Sequence, residues 1–230
     1  SNTRIMIGVV TSERHKHLLA SFMSNIFNAM TEFVKVVVII DTSKNEQYQE
    51  KLRTYGFPVL HQQWYNRAAD RIEKGRNKLR DIFLQGNYTH LLMLDSDILL
   101  PKGLILKYLA WDKDCVTGSY QIAQKINQPT TCIFADTKKL YTLLSIGLTE
   151  EPVKVWASGL GCMLIKRKVL QKIKFRNLIT AQGTLEDMLF CKDIRSNKFE
   201  LWADMSKLLP HFNVGWGDII AKENLTIVNT

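Results

Sequence analysis

The stretch His90-Leu-Leu-Met-Leu-Asp95-Ser-Asp97-Ile-Leu-Leu100 restricts this chain more than any other. Leu91 to Leu94 form a short continuous apolar run, the pattern of a strand buried on both faces. Asp95 and Asp97 interrupt it, and a bare buried carboxylate is costly. Alternation along an extended chain turns both acids to one side and Ser96 to the other. Like charges held together require a cation or a network of donors. The pair is therefore a candidate site for a hard divalent cation, Mg2+ or Mn2+, at the end of a central strand. The competing reading is a helix-capping Asp followed by an exposed turn Asp before Pro101. The local sequence alone does not separate the two.

The chain before this stretch favours the site. Arg4 to Val10 reads as a buried strand followed by a polar loop, Thr11-Ser12-Glu13-Arg14. His15 to Thr31 has helical spacing, with Leu18, Leu19, Phe22, Ile26 and Met30 on one face. Lys35 to Ile40 is β-branched almost throughout and ends in Asp41. A helix over Glu46 to Tyr55 and a strand over Phe57 to His61 follow. Strands and helices in strict alternation predict an α/β domain, a mostly parallel central sheet with helices on its faces. Ligands of such sheets bind beyond the carboxyl ends of the strands. Thr11, Ser12, Asp41, Asp95 and Asp97 all fall there.

The longest predicted helix, Asn66 to Gln85, has the stripe Ala69, Ile72, Leu79, Ile82 and Phe83. Most of its basic residues read as a solvated face. Arg76, Asn77 and Arg80 differ, because only a short turn separates this helix from the acidic strand. Guanidinium groups there can neutralise Asp95 or grip a diphosphate. No Gly-x-Gly-x-x-Gly follows the first strand, and no Gly-Lys-Ser/Thr loop occurs, so the usual backbone phosphate cradles are missing.

Composition narrows the class. With 230 residues, 46% hydrophobic and 23% charged, the chain suits one globular domain with a substantial core. No apolar run reaches the length of a membrane span. A formal charge of +9 calls for an anionic partner. The basic residues form no dense tract interleaved with aromatics, which argues against nucleic acid. Phosphate-bearing small molecules, or peripheral contact with an anionic membrane surface, suit the scattered excess. Cys115, Cys132, Cys162 and Cys191 lack C-x-x-C spacing, which favours reduced thiols and a cytoplasmic setting.

Past the acidic pair, a helix opens at Pro101 and runs to Trp111, and Asp114 to Tyr120 reads as a strand. The region from Gln121 to Glu151 is poorly legible; a strand at Thr131 to Phe134 and a helix at Thr137 to Ser145 are expected. Val155 to Ile165, carrying Trp156, Gly159 and Gly161, reads as a strand whose glycines mark a bulge or a ligand's approach. A helix over Lys166 to Ile173 is expected next. Thr184-Leu-Glu186-Asp187 fits a helix start of the Ser/Thr-x-x-acid type, yet Met188, Leu189 and Phe190 take that helix straight into a core. Lys198 to Ala203 is a strand ending in Asp204, and His211 lies shortly after it.

Four of these features, in this order, resemble the metal-dependent, nucleotide-sugar-using glycosyltransferases of the GT-A fold. Gly75-Arg76-Asn77 with Leu94-Asp95-Ser96-Asp97 resembles the family's nucleotide-binding Arg-Asn pair and its DxD motif. Trp156 to Gly161 resembles its glycine-containing loop, Leu185-Glu186-Asp187 its x-Glu-Asp motif, and His211 its late metal-binding histidine. The resemblance implies a single domain, 1–230, with a nucleotide-sugar half to about residue 100 and an acceptor half after it. It implies Mn2+ or Mg2+ on Asp95, Asp97 and His211, and donor contacts from Thr11, Ser12, Glu13, Asp41, Arg76, Asn77, Arg80, Asp95, Ser96, Asp97 and Gly159. Trp156 would face a glycan, lipid-linked or protein acceptor. Asp187, or failing it Glu186, would be the general base of an inverting transfer to a hydroxyl. A retaining transferase, a sugar nucleotidyltransferase and a non-catalytic binding module are the alternatives. The nucleotidyltransferase usually shows a glycine-rich phosphate loop after its first strand, and Thr11 to Arg14 is not one.

Overall fold

The computed structural model describes residues 2–120, 133–136, 139–142, 149–180, 183–184 and 186–212. Within them β1 (Ile5–Thr11) leads through a short 3-10 turn (Glu13–Leu18) to α1 (Leu19–Ala29). β2 (Val34–Asp41), α2 (Gln47–Arg53), β3 (Val59–His61), α3 (Ala68–Gln85) and β4 (His90–Asp95) follow as expected. The expected helix at 15–31 starts late because Glu13–Leu18 is polar and buries no side chain, so nothing draws that turn onto the core.

Then come α4 (Leu104–Trp111), β5 (Cys115–Gly118), the hairpin β6 (Ile133–Asp136) and β7 (Lys139–Thr142), β8 (Val153–Lys154), β9 (Cys162–Lys166) and α5 (Arg167–Lys172). A small hairpin of β10 (Ile179–Thr180) and β11 (Gly183–Thr184), α6 (Glu186–Ser196) and β12 (Leu201–Asp204) complete the described chain. Two expectations are corrected. Residues 139–142, expected inside a helix, pair antiparallel with β6, from Ile133 opposite Thr142 to Asp136 opposite Lys139. The strand expected over 155–165 starts only at Cys162, where β9 pairs with both β4 and β5; residues 155–161 are a buried loop after the short β8, which pairs with β12.

One eight-stranded sheet has the order β3-β2-β1-β4-β9-β5-β12-β8. β1, β2, β3 and β4 are mutually parallel, and β5 is parallel to β12; β9 and β8 run against their neighbours. The result is a mostly parallel mixed sheet whose first four strands come from the first hundred residues. Strand alternation divides the core between the two faces. Ile5, Ile7, Val9, Leu92 and Leu94 pack under α1, α2 and α4. Met6, Leu91 and Met93 pack under α3, α5 and α6.

Two glycines bring α3 close to β1. A Cβ on Gly75 would lie 3.0 Å from Val10 Cγ1, and one on Gly8 would lie 3.0 Å from Leu79 Cδ1. This approach sets the next residue of the helix, Arg76, against the end of the acidic strand.

Candidate active site

β4 ends in a turn in which the Ile98 amide donates to the Asp95 carbonyl at 3.2 Å. The turn leaves Asp95 and Asp97 at the carboxyl ends of the parallel strands, but the chain is no longer extended there, so Ser96 lines the same cleft instead of facing away from the two acids. Here Thr11, Ser12, Arg14, His15, Thr42, Arg71, Ile72, Arg76, Asp95, Ser96 and Asp97 line one cleft. Arg14, Arg71 and Arg76 give it a positive wall. Arg71 stacks its guanidinium 4.0 Å from the Trp64 ring centre.

Arg76 is the hinge of the site. Its side chain is only 7% exposed and touches three carboxylates. Nη1 lies 2.9 Å from Glu186 Oε2 and 3.1 Å from Asp187 Oδ1, and Nη2 lies 3.4 Å from Asp95 Oδ1. One guanidinium thus joins the acidic strand to the first turn of α6, two motifs far apart in sequence. The fork shape suits Arg for this task and would not suit Lys. Burial would strip Arg76 of its proton, but the charges of Glu186, Asp95 and Asp187 outweigh that and hold it charged.

The two acids of α6 differ. Asp187 keeps 43% of its side chain exposed, whereas Glu186 keeps 8% and its Oε1 has no hydrogen-bond partner among the described residues. Burial first, then the neighbouring charges of Asp187 and Asp95, push Glu186 up to about 7 against the pull of Arg76. Burial also raises Asp95, with Asp97 and Asp187 adding to the effect and Arg76 opposing it.

Asp97 behaves differently. Burial would raise it, yet the hydrogen bond and charge of His211, together with His15, hold it below the usual carboxylate range. His211 arrives because the chain after β12 folds back along residues 97–99. The Phe212 amide donates to the Asp97 carbonyl at 2.7 Å, and the Leu99 amide donates to the Pro210 carbonyl at 3.1 Å. His211 Nε2 then stands 3.4 Å from Asp97 Oδ2, and its ring meets Tyr120 edge-on at 4.9 Å. The Tyr120 hydroxyl accepts from the Gly161 amide at 2.8 Å, so the glycine-containing loop is tied to the same cluster.

Other expected residues have internal partners. Arg80 donates from Nε to the carbonyls of Leu170 and Ile173, both at 2.8 Å, and closes the end of α5. Asn77 exchanges two hydrogen bonds with the backbone of Phe175. Both therefore brace α3 against the chain around α5 rather than lining the cleft. Asp41 is fully buried and accepts from the amide and hydroxyl of Ser43. Glu13 is exposed, and its amide donates to Ser43 Oγ. Gly159 is buried in the loop before β9, and the Trp156 ring lies under Arg195 at 4.0 Å. Arg14, His15, Arg71 and Tyr120 line or border the site without having been singled out by the sequence. His15 follows β1 within the loop that the strand-end rule marks, and that position was the available signal.

Glu186 carries a pH prediction. An acid with a raised folded-state pKa binds more protons folded than unfolded. Its contribution is therefore present below its ordinary value of 4.5 and is lost as pH rises towards about 7. The full effect is of order 2–4 kcal/mol. Between pH 5 and 7.5 the melting temperature of Glu186→Gln should rise relative to that of the wild type. Parallel pH profiles of the two proteins would contradict the assignment.

No family model matches the chain, and no curated protein sequence matches it either. Solved structures do match. A197 from STIV superposes with a TM-score of 0.50 at 20% identity, over 92% of this chain and 86% of that one. S. aureus TarS 1-349 gives a TM-score of 0.58 at 15% identity, over 90% of this chain and 59% of that one. A longer S. aureus TarS chain gives 0.63 at 15% identity, over 98% of this chain and 39% of that one. The chain thus spans less than two thirds of either TarS structure. What it shares with them is architecture: an α/β domain with a glycosyltransferase-like fold.

Proposed function

We propose that this protein transfers a sugar from a nucleotide-diphosphate donor to an acceptor hydroxyl with inversion at the anomeric carbon. One observation carries the reading. A buried arginine joins the acids of β4 to those of α6, beside a carboxylate–histidine pair, at the ligand-binding end of a glycosyltransferase-like sheet. Such a constellation combines anion stabilisation with a base.

Asp187 is the base. One oxygen is fixed by Arg76, and the half-exposed carboxylate is open to an acceptor. It takes the proton of the attacking hydroxyl while the hydroxyl oxygen bonds to the anomeric carbon. The bond from that carbon to the diphosphate oxygen breaks on the opposite face, and its electron pair leaves with the diphosphate. Arg14 and Arg71 on the cleft wall offset the charge of the departing group.

The residues fit a divalent cation. Among the described residues no three His, Cys, Asp or Glu side chains form a ready cage. Asp97 and His211, however, stand 3.4 Å apart as an oxygen–nitrogen donor pair with Asp95 beside them, and would hold the ion. A bound Mn2+ or Mg2+ supplies Lewis-acid neutralisation of the leaving diphosphate.

A thermal-shift series with nucleotide sugars, in Mn2+ and in EDTA, tests the reading. A donor at about 100 times its Kd adds about 2.7 kcal/mol, or roughly 5–10 °C for a domain of this size. The expected result is such a shift with one class of nucleotide sugar, reduced by EDTA. No shift with any nucleotide sugar, with or without the ion, would contradict it.

A further inference from the structure

Tyr120 is a buried phenol that plays no part in the transfer proposed above. It lies just beyond β5 and is 5% exposed. β4 and β5 both run antiparallel to β9, which stands between them, so they end on the same edge of the sheet. The strand-end rule that marks Asp95 therefore marks Tyr120 as well. Two neighbours hold the side chain there. Its oxygen accepts from the Gly161 amide at 2.8 Å, and the Gly161 carbonyl accepts from the Asp95 amide, also at 2.8 Å. The ring meets His211 edge-on at 4.9 Å. A Cβ on Gly161 would stand 2.4 Å from the phenol oxygen, so this close approach depends on glycine.

The hydroxyl still has a proton to give. A phenol carries one donor beside its acceptor lone pairs, and the Gly161 amide engages only the latter. Among the described residues no acceptor lies within hydrogen-bond reach of that proton. Leaving a buried donor unpaired is costly. Asp95, Asp187 and Arg76 are the charged neighbours of the phenol, so the proton stands among the groups that would surround the reacting centre. A neutral oxygen brought by a ligand suits this place, whereas an anionic one would be repelled by the two carboxylates. The tie through Gly161 to Asp95 sets Tyr120 on the donor's side of the site.

We infer that Tyr120 donates its phenolic proton to one hydroxyl of the donor sugar, so that the site selects sugars carrying that hydroxyl. The inference rests on the sugar-transfer reading above and adds a specificity-determining side chain to it. A site built to bond a substrate hydroxyl rejects the analogue that lacks it, because the buried partner is then left unpaired. With its oxygen already fixed by Gly161, the phenol needs little rearrangement to make the bond.

The test is the affinity of nucleoside-diphosphate hexoses for the wild type and Tyr120→Phe, measured by calorimetry. The probes are the hexose donor that binds the wild type best and its monodeoxy analogues, one for each sugar hydroxyl. One analogue should bind the wild type about 5- to 100-fold more weakly than the parent. Tyr120→Phe should bind that analogue and the parent within about 2-fold of each other, while the other analogues behave alike in both proteins. A side chain that merely holds Gly161 would lower every affinity by one common factor and show no such coupling. Tyr120→Met deletes the same oxygen on a flexible side chain and repeats the readout should the Phe variant misfold. Equal losses for every analogue in variant and wild type would overturn the Tyr120 assignment and leave sugar transfer standing. Absence of binding of any nucleoside-diphosphate hexose to the wild type would overturn both.

Discussion

Asp187→Asn is expected to fold and bind donor normally while losing about 10²- to 10⁴-fold in turnover, the usual contribution of a positioned base. Asn keeps the size and an oxygen that can still accept from Arg76, but it cannot take the acceptor's proton. The competing role, capping the first turn of α6, predicts the opposite pattern. Asn caps nearly as well as Asp, so a pure cap would cost well under about 1 kcal/mol and leave the rate alone. Melting temperature and turnover measured on one sample separate the two. If turnover survives, Glu186 becomes the next candidate, although its burial gives it poorer access to an acceptor.

Arg76→Ala should produce the largest loss of stability at the site. Removing one guanidinium leaves Glu186, Asp187 and Asp95 to repel one another around a buried hole. Breaking a buried pair in this way typically costs about 3–5 kcal/mol. At roughly 2–4 °C per kcal/mol for a domain of this size, the melting temperature should fall by about 6–20 °C. Arg76→Lys should not restore the wild type, because one ammonium cannot reach three carboxylates in two directions. Adding Glu186→Gln to Arg76→Ala should recover part of the loss, since the two residues are in contact and their effects are not additive. A change of only a degree or two in Arg76→Ala would contradict the view that this residue holds the two motifs together.

Much of the first four strands of the sheet was legible because their signals are local. The apolar run at Leu91–Leu94, the β-branched run before Asp41 and the stripe of α3 each report burial through their own spacing. The acids at strand ends followed from the same rule. Partnership was not legible. Arg76, Asn77 and Arg80 lie within five residues on one helix, yet the first enters the cleft and the others brace α5. Which way each turns depends chiefly on neighbours ninety or more residues away. The same holds for His15, which reads as the start of a helix and instead reaches Ser96 and Asp97. The run at 155–165 misled for another reason: buried loop and buried strand share apolar composition, and only pairing distinguishes them. Cys115, Cys162 and Cys191 are buried free thiols as expected. Cys132, the stretch 121–132 and the tail 213–230 lie outside the described residues, and no helix among the described residues is long and apolar enough to cross a membrane.

The most direct measurement is release of nucleoside diphosphate from a panel of nucleotide sugars, comparing wild type with Asp187→Asn in Mn2+. The expected result is release from a restricted set of donors, accelerated by a hydroxyl-bearing acceptor, and about 10²- to 10⁴-fold slower in Asp187→Asn at unchanged donor affinity. Pyrophosphate produced from a nucleoside triphosphate and a sugar phosphate, with no diphosphate released from any nucleotide sugar, would contradict it.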